Sequence, residues 1–198
     1  MAFDSKLADQ DGSLHYPKNW PSEFVTGDAS RFAARYRAAK AAKIEFDKGI
    51  SVTISEAYSS FVKFFLAFSA FEMFQEAFGI NKPTDVQALD KKHNGGVIVQ
   101  ELRNIHFKNP QFFNFIEKKL DKGAVKKNLQ KLTSGQDVCT IYLAKSFRHI
   151  FAHGILTPSA DGSDPAITKK VGDIMYRYLM SIMDIDASTL AGNILAAR

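Results

Sequence analysis

The stretch from Ile54 to Phe78, ISEAYSSFVKFFLAFSAFEMFQEAF, constrains the fold more than any other part of the chain. On a helix of 3.6 residues per turn, Phe61, Phe64, Phe65, Phe68, Phe71, Phe74 and Phe78 spread over one broad arc. Val62, Leu66, Met73 and Ala77 extend it. So wide an apolar face needs neighbours on more than one side, and the segment reads as a central, mainly buried helix. Glu56, Lys63, Glu72 and Glu76 interrupt it. They leave no run of about 18 uncharged residues of the kind that crosses a bilayer. Thr53 and Glu56 have capping-box spacing at its start, and Gly79 marks its end.

The remaining segments supply the neighbours. Residues 1–27 carry Pro17, Pro21, Gly12 and Gly27 without a period and read as an irregular N-terminal arm, with Tyr16, Trp20 and Phe24 as anchors. Residues 28–198 read as one helical domain. A first long helix is expected from Ser30 to Lys48, capped by Asp28 and stopped by Gly49. Its basic face, with Arg31, Arg35, Arg37, Lys40, Lys43 and Lys48, reads as solvated surface rather than RNA contact. A short helix over Thr84–Lys91, a turn at His93–Gly96 with a solvated His93, and a helix over Val97–Phe107 follow. In that helix Arg103 and His106 are spaced to be neighbours. Pro110 opens another helix at a position proline favours. The motif helix is expected from Gln136 to about His153, and the last from near Pro165. No alternating strand pattern and no internal repeat is visible, so the class is all-α, an antiparallel bundle with additional short helices.

Composition narrows the function classes. Seventeen phenylalanines imply a large aromatic core, or one that continues across a subunit interface. The net charge of +5 permits a nucleic-acid partner without demanding one. The single cysteine, Cys139, excludes an internal disulfide and a cysteine-based zinc site, and reads as a small buried hydrophobe. No metal or cofactor is called for. The polar N-terminus lacks the apolar core of a signal peptide, so the expected location is cytoplasmic, away from membranes. Lys118, Lys119, Lys122, Lys126, Lys127 and Lys131 lie close in sequence to Phe112, Phe113 and Phe115. Such a mixture can track a phosphate backbone and stack bases. It also reads as a plain charged surface on two short helices.

The densest chemistry is in Phe147–Gly154, FRHIFAHG, where Arg148, His149 and His153 stand in an apolar helix. Arg148 and His153 are five apart, so a straight helix turns them about 140° from each other. Gly154 places a helix end beside them. All three cationic or titratable groups also suit a helix C-terminus, where partial negative charge favours them, so the motif reads equally as a cap.

An arginine, a polar residue, three more residues, then histidine and glycine resembles the signature of the HEPN superfamily. Here that is Arg148, His149, Ile150, Phe151, Ala152, His153 and Gly154. The resemblance covers this helix and its turn, together with a compatible all-helical plan. It implies a homodimer with the two motifs facing each other and, in active members, metal-independent cleavage of RNA in toxin–antitoxin or antiviral systems, with an antitoxin or other protein partner. The chemistry agrees with the residues. RNA carries its own nucleophile, the 2′-hydroxyl. Histidine can move the protons. An arginine fork can hold the phosphate. The expected roles are His153 as catalytic acid or base, Arg148 as phosphate clamp and His149 as a supporting polar contact. Two other classes stand beside this one: a HEPN-like binding or partner module that does not cut, and a helical scaffold whose motif only caps a helix.

Overall fold

The computed structural model describes residues 26–46, 49–120, 123–154, 156–159 and 163–196. Tyr16, Trp20 and Phe24 of the expected arm, and Lys122 of the lysine-rich segment, lie outside the described residues. The described chain folds into eight α-helices and contains no strand. They are α1 (Thr26–Ala41), α2 (Val52–Ala77), α3 (Pro83–Lys92), α4 (Gly95–Lys108), α5 (Pro110–Lys119), α6 (Ala124–Thr133), α7 (Thr140–Ala152) and α8 (Pro165–Ala196). None is long and apolar enough to cross a membrane.

The Phe-rich segment is one continuous helix, α2, and its neighbours enclose it. Phe61, Phe64, Phe68, Phe71 and Phe74 are at most 3% exposed. The helix begins at a Ser51 cap, whose hydroxyl accepts from the Ile54 N–H at 3.4 Å, rather than at the expected Thr53 box. It ends where expected, with the Gly79 N–H on the Glu76 carbonyl and the Ile80 N–H on the Gln75 carbonyl. Helix α1 runs antiparallel to it. Phe32 meets Phe74 and Phe78, Arg35 donates to Ser69, and the Ile44 carbonyl accepts from Ser59. Helix α7 is also antiparallel, with Phe151 on Phe61 and Phe65, and Arg148 over Phe68. Helix α8 runs parallel to α2: Glu56 pairs with Lys169, and Ser60 donates to Asp173. The long excursion through α3–α7 lets the chain return in that direction.

Several boundaries differ from the sequence expectation; Gly95 and Gly96, expected in a turn, already belong to α4. Helix α1 starts at Thr26 and stops at Ala41, short of Lys48. Beyond it the chain turns back over the start of α2, with Phe46 on Tyr58 at 5.6 Å. Several of its basic residues are also engaged: Arg31 with Asp28, Arg35 with Ser69, and Lys40 with Tyr36 and Asp184. Helix α7 starts at Thr140, not Gln136. Its first turn is capped from a distance. The buried Asp90 carboxylate of α3 accepts the Ile141 N–H at 3.2 Å and the Tyr178 hydroxyl at 2.6 Å. The Thr140 hydroxyl donates to the Gly95 carbonyl at 2.8 Å. Gly95 is dictated by that junction, since a Cβ there would lie 2.4 Å from the Asp90 carboxyl carbon.

Candidate functional site

Helix α7 carries the motif because its apolar positions point inward: Leu143, Phe147 and Ile150 are fully buried. The next residues around the helix are left at the surface edge. The helix ends where the glycine placed it. His153 is the C-cap, and Gly154 takes φ +66°, a left-handed conformation that costs glycine least.

That ending separates the motif's polar groups into two sets. Arg148 goes to α2. Its guanidinium carbon lies 5.6 Å from the Phe65 ring centre and 5.8 Å from that of Phe68, within cation–π range. Its Nη2 stands 3.6 Å from Glu72 Oε2, and both side chains are about a third exposed. His149 and His153 go to each other. Their ring centres are 4.4 Å apart at an interplanar angle of 65°. His149 is half-buried and His153 exposed. Neither ring hydrogen-bonds to another described residue. One chain therefore offers two adjacent imidazoles and, one helical step away, an arginine braced by rings but weakly paired. The geometry brings His149 and His153 together more closely than the expected roles required, and turns Arg148 aside toward Glu72.

The lysine-rich segment meets the motif helix on another side. The Ser146 hydroxyl donates to the Val125 carbonyl at 3.0 Å, which sets the start of α6 one turn from His149. Lys118, Lys119 and Lys127 are exposed and Lys126 is half-buried. The aromatic half of the expected RNA surface is overturned. Phe112, Phe113 and Phe115 are 1%, 0% and 7% exposed and cannot stack on bases. With Ile116 they form the apolar side of the short amphipathic α5, and Phe112 and Phe113 pack on Phe147.

The two other described histidines, His93 and His106, have structural roles. His93 is not solvated: its side chain is 5% exposed, and Nε2 lies 2.9 Å from Asp186, which also takes Lys92 at 2.8 Å. His106 does not pair with Arg103, which instead donates to the Leu132 and Gln136 carbonyls at the end of α6. The His106 ring packs edge-on to Phe113 at 5.2 Å, its buried Nδ1 has no partner among the described residues, and burial lowers its pKa.

Sequence reading missed Asp90 altogether. Its only signal was an acidic residue on the apolar side of a short helix, between Leu89 and the HNGG turn. Among the described residues, no group of three or more His, Cys, Asp or Glu side chains is placed to hold a metal. Comparison with family models, with curated proteins and with solved structures finds no match to this chain.

Proposed function

We propose that this chain is a metal-independent endoribonuclease of HEPN type, with the open end of α7 as its active site. The observation that carries the reading is the pair of imidazoles, His149 and His153, 4.4 Å apart at an accessible helix end. Cleavage by the 2′-hydroxyl needs one group to take the proton from that hydroxyl and another to protonate the leaving 5′-oxygen. Two neighbouring imidazoles can divide that work within one chain, which promotes His149 from supporting contact to proton-transfer group. Arg148 holds the phosphate and stabilises the charge that builds on its oxygens, exchanging its 3.6 Å contact with Glu72 for a bidentate one. Lys118, Lys119, Lys126 and Lys127 guide the backbone through phosphate contacts alone. A homodimer with facing motifs, acting as a toxin or defence component with a protein partner, is the assembly the resemblance implies. The Arg148–Glu72 contact within one chain favours the second reading, a scaffold or non-cutting partner module in which the motif braces α7 against α2.

The test is incubation of the purified protein with mixed RNA in EDTA. We expect cleavage to 2′,3′-cyclic phosphate and 5′-hydroxyl ends, with DNA left intact because it lacks the nucleophile. His153→Ala should lower the rate by about 10²–10⁴-fold, and His149→Ala comparably. Arg148→Lys should not fully restore what Arg148→Ala loses, since lysine lacks the planar fork. Equal RNA degradation by wild type and His153→Ala would assign the activity to a contaminant and leave the partner-module reading.

A further inference from the structure

Helices α3, α4, α6 and α7 enclose a cleft of about 650 Å³ near the start of α7. Small-molecule sites fall in the range of roughly 300–1,000 Å³. The lining divides into two kinds of surface. One is cationic: Lys91 from α3, Arg103 from α4 and Lys131 from α6 come to it from three helices. The other is apolar or aromatic: Val99, Val138, the Cys139 thiol and Tyr142. We infer that this cleft binds a small organic anion, a planar or apolar body bearing a phosphate or carboxylate group.

Three observations carry the assignment. First, the cations outnumber the carboxylates that remain open to a ligand. Asp90 and Asp137 both line the cleft, but Asp90 already accepts from Tyr178 and Ile141. Lys91 and Lys131 are exposed, and neither is in an ion pair among the described residues. Second, Arg103 is held in place. Its Nε donates to the Leu132 carbonyl at 3.4 Å and its Nη2 to the Gln136 carbonyl. The remaining N–H donors of a fixed, planar fork suit a phosphate or carboxylate. Third, the apolar wall is inert. Burial, with Asp90 next in effect, pushes the Cys139 thiol up to about 11, so at neutral pH it is a protonated, weakly polar surface and not a nucleophile. Tyr142 adds a half-buried ring to the wall.

The cleft is separate from the motif. His149 follows Tyr142 by seven residues, about two turns along α7. The inference does not rest on RNA cleavage, and either can fail alone.

Calorimetric titration with 1-naphthyl phosphate and with 1-naphthoate tests it, with inorganic phosphate as the body-less control. One naphthyl anion should bind at one per chain and inorganic phosphate far more weakly. The tighter of the two identifies the head group. Lys131→Glu, an exposed change that leaves the core alone, should weaken binding by roughly tenfold or more, the loss of a charge-assisted contact. Tyr142→Ala should weaken it as well, while His153→Ala should leave it unchanged. The inference is overturned if neither naphthyl anion binds at millimolar concentration, if Lys131→Glu binds as wild type does, or if His153→Ala abolishes binding.

Discussion

Helix α7 has polar groups at both ends, and they are treated in opposite ways. At its start, Asp90 accepts from Tyr178 and the Ile141 N–H inside the protein, Thr140 donates to the Gly95 carbonyl, and Gly95 makes room for the approach. At its end, the His149 and His153 rings meet each other and hydrogen-bond to no other described residue, and Arg148 rests on two rings beside a carboxylate 3.6 Å away. Buried polar groups are costly unless fully partnered, so the start of α7 is committed to holding the fold. Partly exposed groups with weak or no polar partners contribute little to stability and remain available to a ligand. The difference separates residues that position the helix from residues that can act on something else. Such a separation is what a site needs: a fixed support and free chemistry.

The largest expected effect is at the closed end. Asp90→Ala leaves the buried Ile141 N–H without its acceptor and the Tyr178 hydroxyl with only the residue-90 carbonyl at 3.5 Å. At roughly 1–3 kcal/mol for an orphaned group and less for a weakened one, unfolding in urea should show a loss of about 2–4 kcal/mol, and Asp90→Asn a smaller one. A loss under about 1 kcal/mol would break the comparison, because the closed end would then not be holding α7.

At the open end the stability effect should be near zero. His149→Ala and His153→Ala should each stay within about 0.5 kcal/mol of wild type, because neither ring has a hydrogen bond to a described residue and the His153 cap acts through its backbone N–H, which alanine keeps. If instead His153→Ala destabilised the protein by more than about 1 kcal/mol, the histidine would be a structural cap and the scaffold reading would gain.

The smallest effect sharpens the comparison among histidines. Burial against Phe113 lowers the His106 pKa below its ordinary 6.5, with Glu117 opposing weakly. The unfolded chain then takes up a proton at higher pH than the folded one. Stability is complete above about 6.5 and declines as pH falls through that value toward the folded pKa. His106→Leu should flatten this decline in acid-titrated unfolding curves. An unchanged acid slope would remove His106 as its source.

How much of this was legible depended on whether the cause was local. The long α2, the stops at Gly79 and Gly154 and the Pro110 and Pro165 starts follow from spacing and capping within a few residues, and each was visible. The motif residues were visible too, as a cluster of types. The partners were not. Arg148 meets Glu72 and Phe65, far upstream in the chain, and His93 meets Asp186, far downstream. Phe112, Phe113 and Phe115 looked like stacking platforms beside lysines until the fold turned them inward.

By itself, then, the order of residues determined that this chain is all-α, where its central helix lies and which short segment concentrates cationic and titratable groups. Those properties depend on periodicity and on caps that act over one turn. Only the tertiary structure decided that α8 returns parallel to α2, that α7 begins at Thr140 under a carboxylate from α3, and that His149 faces His153 while Arg148 does not. The reason is physical. A helix's exposed and buried faces, and the groups left unpartnered on them, are set by what packs against it, and those neighbours come from distant parts of the chain.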